Sequence, residues 1–313
     1  MLARIANSLY WTGRYLERSE HLARYLGVQY FSMLDAPMSQ SRDFTLTSII
    51  NMYGLSDVQT GELKETDVLR SAAMDYDSPL SIRSTVQLAR ENARVARHVI
   101  STELWEAING FHLNMQRVDP EFFLTHGLHD FTTDVGRNCA IVRARIDDTL
   151  LHDETWIFIK LGIHIERVIQ VMRILDSKLH DIDLMTDRGE NRALRQYQGT
   201  VILKIVEGFD MHKKLYQHLL TPKTTIDFLV GHPNFARSLT YNMKAVTDLL
   251  KRMEASESRK PNKLLFKSGK IFSGFRYLEY EDVKSDIGGY LNDSLTEVYA
   301  LHDAIVANYF GEE

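Results

Sequence analysis

The sequence is poor in cysteine and in proline, and each shortage excludes a class of protein. The single cysteine, Cys139, rules out an intramolecular disulfide and any zinc site built from cysteines, and we expect it to be a core residue. The six prolines leave residues 1–36, 80–119, 121–221 and 262–313 without a helix breaker, which is typical of a mostly helical chain.

Long uncharged runs are also missing. The longest stretch without a charged residue, 44–56, has thirteen residues, fewer than the ~18 that a membrane-spanning helix needs. Glu17 and Glu20 follow the apolar opening of the chain at once, with no small-residue cleavage site, which argues against a signal peptide. With the single cysteine, these features predict a cytoplasmic protein that does not contact a membrane.

Known cofactor motifs are absent as well. There is no G-x-x-x-x-G-K-[ST] or G-x-G-x-x-G nucleotide cradle, no H-E-x-x-H, and no E-x-x-H of the di-iron bundles. Asp147-Asp148 with Asp153-Glu154 is faintly similar to an aspartate-rich magnesium site, but a helix end followed by an N-cap explains it better. We therefore expect no cofactor and no metal site.

The charge that is present is unevenly distributed. A net charge of −5 argues against a general nucleic-acid binder, and 44% hydrophobic residues argue against disorder. Residues 1–150 hold fourteen arginines and one lysine, whereas residues 151–313 hold nine arginines and thirteen lysines. The planar guanidinium of arginine pairs well with carboxylate or phosphate groups. The first half is therefore expected to use its cations inside the structure or at a site.

Apolar residues recur with helical spacing along most of the chain, which predicts an all-α fold. The predicted helices are 2–30, 80–100, 102–117, 119–150, 154–180, 189–220, 233–254 and 276–308, with shorter ones near 45–53 and 62–74. The predicted loops are 33–43, 54–60, 180–188 and 256–273. Asp153 and the Ser78-Pro79 pair are expected to mark helix starts.

The sequence contains one internal match. The pattern G-x-x-x-E-R-x5-R occurs at 13–24 and again 149 residues later, at 162–173. Ser81-Ile82 and Ser238-Leu239 form a second match at an offset of 157 residues. We therefore expect a helical bundle made of two related helical units, 1–150 and 151–313.

Both copies of the pattern place a glutamate on a mostly apolar helix. Residues Gly13, Glu17, His21 and Arg24 share one side of the first helix, and the second copy lies in a segment that is apolar on nearly every side. In one interpretation each glutamate accepts from the arginine of the other copy, as a structural ion-pair network. In the other, the arginines line a polar pocket for an anionic ligand.

A third cluster lies in residues 88–99, where Arg90, Arg94 and Arg97 share one helix side. A solvated face balanced by nearby glutamates is one interpretation, and recognition of phosphate or carboxylate is the other. The candidate binding residues are Arg14, Glu17, Arg18, Arg24, Arg90, Arg94, Arg97, Glu166, Arg167 and Arg173. No catalytic residue is assigned.

The segments LYWTGRYLERSEHLARYL and ARENARVARHVISTELWEAIN, with the second Glu-Arg helix, closely resemble the bacterial alpha-E family. The likeness spans nearly the whole chain and implies an all-helical fold of unknown activity. Ser19-Glu20-His21 departs from the Ala-Glu-Asn usual in the family, so the resemblance gives His21 no family-wide role. The matching motif residues are Glu17, Arg18, Glu166 and Arg167.

The resemblance also implies partners. Family members are usually encoded beside, or fused to, a circularly permuted ATP-grasp protein and a transglutaminase-like protein, which suggests synthesis or modification of a small peptide. We therefore expect a partner of such a system, with an Arg/Glu-lined groove for an acidic or peptide ligand or for the ligase. The alternatives are an enzyme that acts on a peptide conjugate with Glu17 or Glu166 as general base, and a purely structural scaffold.

Overall fold

The computed structural model describes residues 1–35, 42–53, 64–187, 192–217, 219–254 and 263–311. The described residues form helices joined by turns, with no strand among them, which confirms the all-α prediction. None of these helices is both long and apolar enough to cross a membrane.

The chain forms two compact units. The N-terminal unit comprises residues 8–159, and the C-terminal unit comprises residues 1–7 and 160–313. The change between units falls inside the two longest helices, α1 (Ala3–Asp35) and α8 (Glu154–Asp187). The predicted domain limits and the predicted duplication stay predictions.

After α1, the N-terminal unit continues through helices of very different lengths. They are α2 (Arg42–Tyr53), α3 (Glu65–Ala73), α4 (Ile82–Val95), α5 (Thr102–Arg117), the single turn α6 (Pro120–Phe122), a π-helical turn (Phe123–Gly127) and α7 (Leu128–Thr149). Helix α5 packs between α4 and α7, and α3 packs against α2 and α4. Two buried tyrosines fix α1 to α2: Tyr25 Oη lies 2.8 Å from Ser48 Oγ, and Tyr53 Oη donates to Leu22 O at 2.6 Å.

The C-terminal unit has a similar succession of elements after α8. They are α9 (Arg192–Ile205), α10 (Phe209–Tyr216), α11 (Pro222–Ile226), a π-helical turn (Asp227–Gly231), α12 (Leu239–Glu254), α13 (Lys263–Arg276), α14 (Tyr280–Val283) and α15 (Ile287–Tyr309). Helix α13 packs against α12 and α15, and α9 packs against α10 and α11.

One helix start has the same geometry in both units. Ser81 caps α4: its Oγ donates to Asp75 O and accepts from Ser84 N at 3.0 Å. Ser238 precedes α12 in the same way, since its Oγ donates at 2.5 Å to the carbonyl six residues earlier and accepts at 3.0 Å from the amide three residues later. The start predicted at Ser78-Pro79 therefore lies three residues later, at Ser81, whereas Asp153 accepts from Thr155 N at 2.9 Å as expected.

The predicted helix 189–220 is wrong in its middle, because α9 ends at Ile205 and α10 begins at Phe209. Glu207 has a left-handed backbone with a φ of 52°. A Cβ on Gly208 would lie 2.9 Å from the rings of both Phe228 and Phe235, so glycine is required for this close approach.

Two predicted loops are also wrong where the structure describes them. Residues 180–187 extend α8 to Asp187, and 263–273 belong to α13. Helix α13 buries Leu264, Ser268, Ile271 and Phe275, a helical spacing that the sequence already contained.

Other predicted limits differ in detail. The predicted helix 276–308 is divided into α14 and α15, and α12 begins six residues after the predicted start at 233. The predicted loop 54–60 lies outside the described residues, as do residues 36–41 of the predicted loop 33–43. The loop prediction is wrong for 33–35 and 42–43, which belong to α1 and α2.

Candidate functional site

Glu17 lies in the core of the N-terminal unit. Its side chain is 1% exposed, and His21, one turn later on α1, is fully buried. His21 Nε2 lies 3.0 Å from Glu17 Oε1. A buried carboxylate is tolerated when it is hydrogen-bonded, and the imidazole supplies one such bond.

Glu20 makes a second buried cluster on the same helix. Its carboxylate is 3% exposed and accepts a hydrogen bond from Arg24 Nη1 at 3.2 Å. Arg143 of α7 makes a bidentate contact with the same carboxylate, in which Nη2 lies 3.3 Å from Oε1. Arg24 was a candidate ligand-binding residue, and here it pairs with Glu20. This cluster fixes α1 to α7. It was not predicted from the sequence, because Arg143 lies 123 residues after Glu20 in the chain.

Arg14 and Arg18 contact aromatic rings of α1. The Arg14 guanidinium, 3% exposed, lies 4.7 Å from the ring centre of Trp11, and that of Arg18 lies 5.5 Å from the ring centre of Tyr15. Cation–π contacts of this kind stabilise a guanidinium away from water. Arg14 is therefore in a packed environment.

Glu166 occupies the same place on α8 that Glu17 has on α1. It is fully buried and accepts from Gln170 Nε2 at 2.7 Å, again from one turn later. Arg167 is partly exposed and donates to Ala236 O at 3.4 Å, and Arg173 is also partly exposed.

The α8 helix is held to α12 by a hydrogen bond between two buried side chains. His164 Nδ1 lies 2.8 Å from Asn242 Oδ1, so the ring carries its proton on Nδ1. The Asn242 amide in turn donates to Ala236 O and Ser238 O, at 3.0 and 2.7 Å. These contacts lie within the C-terminal unit, and the predicted meeting of the two Glu-Arg sets stays a prediction.

Arg90, Arg94 and Arg97 do come together in the N-terminal unit, but the predicted helix 80–100 is too long: α4 ends at Val95, and Arg97 lies in the turn that follows. Arg90 is half-buried, whereas Arg94 and Arg97 are exposed. The guanidinium groups of Arg90 and Arg97 lie 5.6 and 5.1 Å from the ring centre of Trp105 on α5. A rigid aromatic ring thus orders two of the three cations.

Arg83 extends this cluster by two turns, because it lies seven residues before Arg90 on the same side of α4. Its guanidinium lies 4.5 Å from the ring centre of Tyr76, and it donates to Gln116 O at 3.2 Å. Arg83 was not predicted as a site residue, although its spacing from Arg90 is visible in the sequence. We call Arg83, Arg90, Arg94, Arg97 and Trp105 the arginine surface.

One acid partly neutralises the arginine surface. Glu91 receives hydrogen bonds from Arg90 and, at 2.9 Å, from Arg94 Nε. Burial opposes its ionisation, but the bonds from the two arginines outweigh burial and lower the Glu91 pKa. Arg97 has no ion-pair partner in the part of the chain that the structure describes. The cluster therefore keeps a net positive charge.

The remaining candidates are structural where they are described. Asp147 accepts from Trp156 Nε1 at 3.0 Å, and Asp153 caps a helix. Cys139 lies in the core as expected, 3.6 Å from Ser19 Oγ, and burial raises its pKa to about 12. Within the described ranges, no three His, Cys, Asp or Glu side chains are grouped to hold a metal ion.

The chain was compared with protein families, curated proteins and solved structures. The family model Alpha-E, described as a predicted alpha-helical domain with a conserved ER motif, matches residues 1–310. No curated protein and no solved structure matches significantly. Glu17-Arg18 and Glu166-Arg167 are the two ER pairs of this sequence. Since the match covers essentially the whole chain, the protein belongs to the Alpha-E family.

Proposed function

We propose that this chain is a cytoplasmic, non-nucleotide-binding partner of an ATP-grasp peptide-ligase and transglutaminase-like system, and that its arginine surface binds an acidic polypeptide. The polypeptide is either the substrate peptide or an acidic segment of the ligase. The first supporting point is the family membership. Resemblance to this family implies that the gene lies beside genes for an ATP-grasp protein and a transglutaminase-like protein.

The observation that carries the proposal is the exposed, ordered charge of the arginine surface. Arg94 and Arg97 are exposed, and Trp105 lies beneath Arg90 and Arg97. Arginine forks suit the bidentate recognition of carboxylates, and packing on an aromatic ring lowers the entropy lost on binding. Glu91 neutralises only part of the charge, so an acidic ligand would gain ion pairs there.

The buried glutamates have a structural role in this proposal. Glu17 and Glu166 are at most 1% exposed, and each accepts a hydrogen bond within its own helix. Such a carboxylate cannot reach a peptide in solution. Its burial instead supports the structural interpretation of the ER pairs.

The second candidate is an enzyme in which Glu17 or Glu166 acts as general base. The observation in its favour is the Glu17–His21 contact at 3.0 Å, a carboxylate-oriented imidazole of the kind that transfers protons. The same low exposure opposes it. This candidate predicts that Glu17→Gln keeps the fold and abolishes turnover of a peptide conjugate, whereas the structural role predicts lower stability.

We also propose that the two units are related copies. Helices α1 and α8 have 33 and 34 residues, and α7 and α15 have 22 and 23. In the N-terminal unit, α5 packs against α4 and α7, as α13 packs against α12 and α15 in the C-terminal unit. The matching serine caps of α4 and α12 support the same alignment.

Titration of the purified chain with a glutamate-rich peptide tests the binding proposal. We expect the triple variant Arg90→Ala/Arg94→Ala/Arg97→Ala to bind about tenfold or more weakly, since exposed ion pairs contribute up to ~1 kcal/mol each. Binding should weaken as salt is added.

The matched control is Lys244→Ala/Lys251→Ala/Arg252→Ala, which removes three positive charges from α12, the corresponding helix of the C-terminal unit. Its affinity should stay near that of the unmodified chain. Equal losses in both triple variants, or no binding by the unmodified chain to either the peptide or the ATP-grasp partner, would contradict the proposal.

A further inference from the structure

The C-terminal unit contains a partly open cavity that the proposed function does not use. Its volume is about 430 Å³, within the range of sites for small molecules. It is lined by α8, α9, residues 220–221 before α11, α11 itself and the first residue of α15. The lining residues are Leu175, Leu179, Ile182, Gln196, Gly199, Ile202, Leu220, Thr221, Pro222, Thr225, Ile226 and Ile287.

The chemistry of the lining restricts the ligand. Leucine, isoleucine and proline supply most of it, and none of the lining residues that the structure describes is charged or aromatic. A nucleobase or other polar ring would lose its hydrogen bonds to water there without replacement. A charged group would lose still more. An aliphatic chain, in contrast, gains free energy for each methylene that it buries.

The polar lining residues indicate where the polar end of the ligand lies. Gln196 is exposed, whereas Leu175, Ile202 and Ile226 are at most 3% exposed. The cavity therefore leads from water at Gln196 towards an aliphatic interior. Gly199 lies one helical turn beyond Gln196 and lines the same space.

We propose that this cavity binds the single aliphatic chain of a small amphiphile, with the chain among the leucines and isoleucines and a neutral polar head near Gln196. The site lies wholly in the C-terminal unit. It is independent of the arginine surface, so either proposal can fail without the other.

Calorimetric titration of the full chain with the n-alcohols hexanol, octanol and decanol tests the proposal. Affinity should rise about fourfold for each methylene added while the chain still enters the cavity, the equivalent of ~0.8 kcal/mol per buried methylene. 1-Naphthol serves as the aromatic comparison and should bind more weakly than octanol. No binding of any alcohol, or tighter binding of 1-naphthol, would overturn the proposal.

Two glycine variants locate the binding. A Cβ at position 199 would lie 3.4 Å from Leu220 Cδ2, so Gly199→Leu must place its side chain in the cavity. We expect this variant to lose at least tenfold in octanol affinity. Gly269→Leu on α13 is the matched control, because nothing lies within 4 Å of its added Cβ, and it should bind as before. Equal affinities in the two variants would contradict the assigned site.

A third variant covers the case in which Gly199→Leu does not fold. Leu179→Ala enlarges the cavity without filling it, because Leu179 is a half-buried lining residue. The preferred alcohol should then become longer by one or more methylenes. An unchanged chain-length preference would count against the proposal.

Discussion

The two long helices α1 and α8 each contain a buried motif glutamate, but the residues around it differ. Glu17 contacts an imidazole one turn later, and Glu166 contacts an amide in the same relative position. Three residues after the glutamate, α1 has the buried acid Glu20 and α8 has the buried apolar residue Ile169. The carboxylate is thus common to both helices, whereas the residue that contacts it from one turn later differs.

This difference teaches that the position requires a hydrogen-bonded carboxylate rather than one particular partner. Either a ring nitrogen or an amide nitrogen can donate from one turn away, because residues i and i+4 are neighbours on a helix. The extra acid of α1 is possible because Arg24 and Arg143 pair with it. Charge in α1 is therefore structural, and substitutions at Glu20, Glu17 and His21 test that.

The largest loss of stability is expected at Glu20, the position at which α1 and α8 differ most. Glu20→Gln leaves Arg24 and Arg143 without their carboxylate and should lower the free energy of unfolding by about 3 kcal/mol. Urea denaturation measures it. Ile169→Val on α8 should cost only ~1 kcal/mol, because it removes one methylene. A Glu20→Gln effect no larger than that would show that the ion-pair cluster is not important for stability.

A smaller effect is expected when each motif glutamate becomes an amide. Glu17→Gln and Glu166→Gln keep the shape but replace a charge-assisted hydrogen bond with a neutral one, so each should cost about 2 kcal/mol. Asp134→Asn, in an exposed pair with Arg137, is the control and should cost ~0.5 kcal/mol or less. Similar costs at the buried and exposed sites would contradict a structural role.

Exchanging the partner tests whether the two helices are equivalent. His21→Gln gives α1 the arrangement of α8 and should change the free energy of unfolding by less than about 1 kcal/mol. His21→Leu removes one hydrogen-bond donor from a buried carboxylate and should cost about 2 kcal/mol. If leucine is tolerated as well as glutamine, position 21 does not need a hydrogen-bond donor.

The smallest effect concerns pH, and it compares the two units. His112 in the N-terminal unit and His212 in the C-terminal unit are both buried, and burial is the main cause that lowers each pKa. The unfolded chain therefore binds more protons below about pH 6.5, the ordinary histidine pKa, so stability should fall on acidification through that pH.

His212→Phe should remove part of this pH dependence while keeping the ring contacts with Tyr216 and Phe228. The unfolding free energy at pH 7 and at pH 5, measured with urea, gives the result. If the unfolding free energy of His212→Phe differs between pH 7 and pH 5 by as much as that of the unmodified chain, the pKa of His212 is the same in the folded and unfolded states.

The features that depend on local spacing could be predicted from the sequence. They are the all-α fold, the buried segment around Glu166, the core position of Cys139 and the cluster of Arg90, Arg94 and Arg97. Each follows from helical periodicity or from residue type. The same periodicity could have found α13 and Arg83.

Other features could not be found in this way, because they depend on contacts between distant residues. The pairing of Glu20 with Arg143 joins residues 123 positions apart. The break at Gly208 depends on the rings of Phe228 and Phe235, which follow about 20 or more residues later. The cavity needs side chains from four helices and from the segment that precedes α11. None of these contacts leaves a local pattern in the sequence.

One variant tests the central claim, that the ER glutamates support the fold while the arginine surface binds. For Glu166→Gln, the unfolding free energy and the affinity for a glutamate-rich peptide are measured on the same preparation. We predict a loss of about 2 kcal/mol in stability with an unchanged affinity. A variant as stable as the unmodified chain that no longer binds the peptide would contradict the account.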